Sequence, residues 1–239
     1  MTPSRTRAVA ALSVIGVLAF AGGCGSDGKD GGDSDFAKQS GDKIADAAKA
    51  DMKELEQVKY SGEINSDGSS IKLDIQASSA GDCTGTIGLG DGTAEVLAAD
   101  GENWFRPDEA FWRQQAPDQA DLIISTVGDK WVLDTDANFS QFCDLDAFFD
   151  NVFKDDSDGG TYKTTGTDEL DGQDIVKVEQ SDDDGSATGY VLVDDPHYLL
   201  KIERTEGDDP GALEFSEFDE DFDVDAPAED EVVDLSQVE

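Results

Sequence analysis

A single histidine, three cysteines and only 17 lysines and arginines stand in this chain of 239 residues. The scarcity of histidine excludes most hydrolytic and metal chemistry. His197 would be the only base for a serine nucleophile, and no G-x-S-x-G elbow marks such a serine. It follows Pro196 at the expected start of a strand, where an edge or turn position suits it. Ser40 and Lys43 match S-x-x-K, but near the start of the first expected helix. Residues 163–166 read KTTG rather than KTG, and no S-D-N accompanies them. With no C-x-x-C and no second histidine, a zinc site has no ligand set. The expectation is a non-enzymatic protein with no catalytic residue, no metal and no cofactor.

Basic charge is the second lack. Against 17 bases stand 56 acids, a formal charge of −39. So acidic a surface repels phosphate backbones, which excludes nucleic acid as a partner. It also repels an anionic membrane, so no basic patch holds the chain to one. The acids form no calcium loop. An EF-hand needs acids at alternate positions before its glycine and a glutamate six positions after it. Counting back from Gly159 puts Lys154 first; counting from Gly185 puts Gln180 first and Val191 twelfth. Asp219, Asp221, Asp223 and Asp225 alternate, as on one solvated strand face that discourages aggregation.

Long apolar runs are the third lack. The longest, residues 8–21 (AVAALSVIGVLAFA), has about 14 residues where a spanning helix needs roughly 20. Arg5 and Arg7 precede it, and Gly22, Gly23 and Cys24 follow. A positive start, a short apolar core and a small-residue exit before cysteine describe a lipoprotein signal peptide, residues 1–23. Cys24 would carry a diacylglycerol and become an N-acylated (palmitate-type) N-terminus. Ala21 stands where leucine is commoner, and cleavage at Ala21 or Gly23 without lipid is the alternative. Residues 24–35 read as a Gly/Ser/Asp tether with a span of roughly 18 Å. Two acyl chains suffice for stable anchoring. The expected location is the extracytoplasmic face of a bacterial cell membrane, and the expected state a monomer. Losing Arg5 and Arg7 with the signal deepens the charge to −41.

Residues 36–225, about 190 in number, make one domain of ordinary size. Residues 226–239 read as an acidic, partly extended tail. Residues 36–58 carry Phe36, Ile44, Ala48, Met52 and Leu55 at helical steps, with the regular part expected from Asp42. The period then falls to two. Ile71, Leu73, Ile75 and Ala77 alternate with Lys72, Asp74 and Gln76. Val176 and Val178 alternate with Ile175, Lys177 and Glu179, and Tyr198, Leu200 and Ile202 with Lys201 and Glu203. Each set predicts a strand with one buried face. Asp-Gly pairs at 67–68, 91–92, 171–172 and 184–185 signal hairpins and an antiparallel meander. Between the two strand groups, residues 109–115, 117–127 and 139–153 have helical patterns, and residues 130–133 (KWVL) suit one short strand.

That middle segment holds most of the aromatic residues. It either plugs the sheet or roofs a cavity. For the cavity, the candidate walls are Trp104, Phe105, Phe111, Trp112, Leu122, Ile123, Trp131, Phe148 and Phe149. Cys83 shares parity with Gly85, Ile87 and Leu89, on the apolar face of its strand, and Cys143 lies in the third expected helix. A disulfide between them would staple that helix to the inner side of the sheet and close a loop of about 60 residues.

Taken together, a lipid-anchored cysteine, a leading helix, two runs of hairpins and an aromatic helical insertion between them resemble the LppX/LprG-type lipoproteins of actinobacteria. Residues 82–96 (DCTGTIGLGDGTAEV), 108–113 (DEAFWR) and 142–145 (FCDL) look like a subgroup of these. Those proteins are similar in fold to the lipoprotein carriers LolA and LolB. The resemblance covers about residues 36–225. It implies an α+β fold: a curved antiparallel half-barrel with an N-terminal helix and a central helical insertion on its concave side. It also implies a lipid or other apolar ligand carried between helices and sheet. Only Cys24 transfers as a residue. The rival reading is an acidic surface interaction module, or scaffold, with a filled core and no ligand.

Overall fold

Two meanders meet side by side in one sheet. The computed structural model describes residues 34–66, 68–135, 139–153, 161–182, 185–207 and 210–237. Cys24 lies outside them, with the expected signal and all but the last two residues of the expected tether.

The first meander runs β1 (Gln57–Ser66), β2 (Ser69–Ser78), β3 (Cys83–Leu89), β4 (Gly92–Ala99), β5 (Glu102–Pro107) and β6 (Trp131–Leu133). The second runs β7 (Thr161–Leu170), β8 (Gln173–Asp182), β9 (Gly185–Leu192), β10 (Leu199–Gly207) and β11 (Gly211–Ser216). β11 pairs antiparallel with β1 and joins the two. β12 (Val232–Val233), inside the expected tail, pairs parallel with β6. The sheet order is therefore β12-β6-β5-β4-β3-β2-β1-β11-β10-β9-β8-β7, an open and mostly antiparallel sheet. With the four helices among the described residues against it, α1 (Gly41–Lys53), α2 (Glu109–Gln115), α3 (Ala120–Val127) and α4 (Leu145–Val152), this is the α+β curved half-barrel.

Alternation builds the buried face. On β2, Leu73, Ile75 and Ala77 are buried, while Lys72 and Asp74 are exposed. Hairpins supply the antiparallel order. Asp171 and Gly172 have φ +51° and +80°, as a type I′ turn requires. Asp100 and Gly101, with φ +54° and +82°, make the same turn between β4 and β5, an Asp-Gly pair not counted among the expected ones. The β3–β4 turn differs from expectation. Leu89 pairs with Gly92, so the loop is Gly90-Asp91 and not Asp91-Gly92. Its positive φ falls on Gly90 alone, the pattern of a type II′ turn. Asp67 and Asp184 lie outside the described residues.

Three helical boundaries move. The first helix spans Gly41–Lys53 and not residues 36–58, because Gln57 and Val58 already pair with Ser78 and Ala77. α3 starts at Ala120, leaving Pro117 in the turn before it. The third expected helix is split: a 3-10 turn at Ser140–Phe142, then α4. Asp144 divides them, because its carboxylate accepts from the Ala147 N–H at 2.9 Å and caps α4. Cys143 thus sits in the joint and not in a helix. The aspartates at 219–225 do not form a strand face. Asp219 occupies a turn at φ +53°, where its carboxylate accepts from the backbone N–H groups of Glu56 and Gln57. It thereby anchors the start of β1.

Candidate functional site

Cys83 and Cys143 form a disulfide across 60 residues. Cys83 is fully buried on the inner face of β3, so the bond ties the α4 joint to the sheet. Beside it, the Tyr60 hydroxyl donates to the Phe142 carbonyl. Burial pushes the Tyr60 phenol well above its ordinary value.

The aromatic segment packs. The Tyr60 and Phe148 rings stack at 4.0 Å, and Phe149 lies 6.3 Å from Phe215 on β11 and 5.8 Å from Phe153. A second cluster joins Phe105 to Phe139 at 4.9 Å and to Trp112 at 6.0 Å, with Phe111 beside both. The Trp112 indole N–H is buried here and has no partner among the described residues. Trp104 and Trp131 lie elsewhere. Arg106 stands 4.5 Å above the Trp131 ring, and strand alternation puts Trp104 and Arg106 on the face opposite Phe105. That face is the convex one. Ile123 is partly buried against the core, whereas Leu122 is 67% exposed. The nine aromatic and aliphatic candidates thus divide between packed clusters, the outer face and solvent.

A hollow of about 80 Å³ lies at the other end of the sheet, and none of the nine lines it. Its floor is the inner face of the second meander: Tyr162 of β7, Val178 of β8, Ala187, Gly189 and Val191 of β9. Leu199 and Ile202 of β10 complete that floor. Its roof is α1, through Ala45, Ala48 and Lys49, and the end of α4 at Val152 and Phe153. Small residues open the space. Ala187 and Gly189 share the inward parity of β9, and a Cβ on Gly189 would come within 3.2 Å of Leu199.

The roof can approach because its own first residue is glycine. A Cβ at Gly41 would stand 2.5 Å from the Tyr162 carbonyl carbon. A bulge in β10 completes the wall. The register shifts between Leu199 and Lys201, so Leu199 and Ile202 face the same way. The expected face of Tyr198, Leu200 and Ile202 is broken for that reason. The small inward residues of β9, Ala187 and Gly189, carry no apolar pattern of their own, and none of them was among the expected cavity walls.

Two polar groups reach the hollow from α1. Lys49 is half-buried, and its Nζ donates to the Phe153 carbonyl at 3.3 Å. Asp46, one turn earlier, is exposed. His197 lies in a turn at the other side of α1. Its backbone N–H donates to Asp51 at 2.6 Å, its Nδ1 is 3.2 Å from the Leu192 carbonyl, and its ring stacks on Phe36 at 3.5 Å. That is a structural turn position, as its place after Pro196 implied. No group of three or more His, Cys, Asp or Glu side chains able to hold a metal occurs among the described residues. No helix among them is long and apolar enough to cross a membrane.

An open curved antiparallel sheet with helices packed on its concave side is the fold of the LppX/LprG type of lipoprotein, as the sequence resemblance implied. The crystal structure of LprF from Mycobacterium bovis is similar over 78% of this chain and 96% of its own, with a TM-score of 0.54 and 13% identity. That of the lipoprotein LppX from Mycobacterium tuberculosis matches over 77% of this chain and 97% of its own, with a TM-score of 0.49 and 14% identity. At such identities the likeness is one of fold, and the comparison with LprF carries it. No protein-family model matches the chain, and no curated protein matches it.

Proposed function

We propose that this chain is a lipoprotein of the extracytoplasmic membrane face, acylated at Cys24, whose half-barrel binds an apolar ligand without catalysing a reaction. The observation that carries the reading is the hollow between α1 and β7–β10, walled by aliphatic and aromatic side chains. Apolar walls with few polar groups at the rim are the usual make-up of a ligand site. The anchor rests on the sequence alone: the apolar segment ending in Gly22, Gly23 and Cys24, with residues 24–35 as tether.

Native mass spectrometry of the protein taken from its own host tests both parts. A mass increment for acyl chains on the peptide containing Cys24, together with a co-purifying apolar compound, is the expected result. An unmodified Cys24 overturns the anchor. No bound compound, and no uptake of an apolar fluorescent probe, overturns the ligand reading. The packed aromatic clusters under α2 and α4 favour a second reading, the acidic interaction module. It predicts a cross-linked protein partner lost at high salt.

A further inference from the structure

Strand register places the chain entry and the α2–α3 pair at one end of the sheet. From strand to strand, Tyr162 on β7 lies in one row with Arg204, Gly211, Ile64 and Gly92. Gly41, the first residue of α1, stands against the Tyr162 backbone, and Gly92 stands against the Phe111 backbone of α2. The described chain thus enters the domain, through Ser34–Gly41, at the end where α2 begins. α3 packs on α2 and leads into β6. Phe105 pairs with Val132, so Trp131 lies toward Arg106 and Pro107, at that same end.

The outer face of α3 is made for a surface poorer in water. Leu122, 67% exposed, is the one exposed large hydrophobic side chain among the described residues. Ser125 and Thr126, three and four residues on, share its face. Both are exposed, and both hydroxyls donate to the Leu122 carbonyl at 2.8 Å. A hydroxyl returned to its own helix does not depend on water, so covering it costs little. Ile123 and Ile124, partly buried, root the helix in the core. Asp118 and Asp121 are exposed at its start, and its last turn has no basic residue. The contact is therefore apolar and shallow, with no charge to draw it onto anionic headgroups. One leucine beside two satisfied hydroxyls falls far short of the roughly 800 Å² per partner of a stable protein interface. A lipid surface needs no such area where an acyl anchor supplies the affinity.

Resting on the Cys24 anchor reading above, we propose that the tip of α3, led by Leu122, touches the lipid surface and turns this end of the sheet toward the bilayer. A photoreactive diazirine analogue of leucine at position 122 of the full-length chain, in membranes of its own host, tests this. A second protein carries the analogue in place of Ala80, exposed in the turn between β2 and β3 at the opposite end of the sheet. The length of β2 puts that turn ~30 Å away. Adducts and the state of the Cys24 peptide are read in the same samples by mass spectrometry. Lipid adducts at position 122 should exceed those at position 80 by at least about tenfold, the lower yield of burying one leucine. With Cys24 acylated, equal lipid adducts at the two positions, no lipid adduct at either, or protein adducts at position 122 in place of lipid, overturn the proposal and leave the anchor standing. An unmodified Cys24 with lipid adducts concentrated at position 122 overturns the anchor and leaves the α3 contact. An unmodified Cys24 without them overturns both.

Discussion

The Tyr60 hydroxyl, fully buried on β1, donates to the carbonyl of Phe142, one residue before the disulfide at Cys143. The joint that launches α4 is therefore held twice, by a hydrogen bond to β1 and by a covalent bond to β3. The Phe148 and Phe149 rings pack in register because that joint is fixed.

Tyr60→Phe keeps the stack on Phe148 and removes the donor. It should lower stability by about 1–2 kcal/mol, the cost of leaving a buried carbonyl unpaired, as read from urea midpoints. The raised Tyr60 phenol adds a pH signature. Below about pH 10 both the folded and the unfolded chain keep this proton. As pH climbs past that value the unfolded chain releases it and the folded chain does not, so stability falls. The fall between pH 9 and 11 should be shallower in Tyr60→Phe, and equal slopes would refute the assignment.

Breaking the disulfide should cost more. Closing a loop over a separation of 60 residues is worth about 4 kcal/mol on chain-entropy grounds. Cys83→Ala/Cys143→Ala, or the reduced wild type, should unfold at a much lower urea concentration. A midpoint unchanged by reductant would show that the bond contributes nothing.

Gly41→Ala reverses an ordinary trend. In an open helix this change gains about 1 kcal/mol. Here the added Cβ meets Tyr162 backbone at 2.5 Å, which cannot rotate aside. A loss of about 1–3 kcal/mol is expected, with weaker uptake of an apolar probe because α1 roofs the hollow. A stabilised variant would mean that α1 does not pack so closely on β7.

Ala187→Leu separates binding from folding. Ala187 is half-buried on the floor of the hollow, and leucine adds three carbons to a space of about 80 Å³. Probe uptake should drop by at least about tenfold, with stability changed by less than about 1.5 kcal/mol. Unaltered uptake would place the ligand elsewhere.

Much of this architecture was legible residue by residue. The strict alternation around Leu73 and Ile75, and the turn at Asp171-Gly172, dictate strands and hairpins through local geometry alone. Elsewhere local rules competed. Asp144 is a strong N-cap inside an apolar stripe, and the cap won, splitting one expected helix in two. Around Leu199 a bulge inserted a residue and reversed the face, which period-two counting cannot foresee. The expected walls were the aromatic residues between 104 and 149, yet most of those rings pack on one another, and the space lies under α1, where β9 carries small side chains.

The sequence by itself determined the meander order and the pairing of Cys83 with Cys143, because turn chemistry and strand parity are local properties. Only the tertiary structure decided which half of the sheet is filled and which is hollow. A void is a deficit of volume shared by residues distant in the chain, Ala48 on α1 against Gly189 on β9, and no local pattern records a deficit. Where Lys49 meets that void was decided in the same way, by the close approach of α1 to the sheet that Gly41 permits.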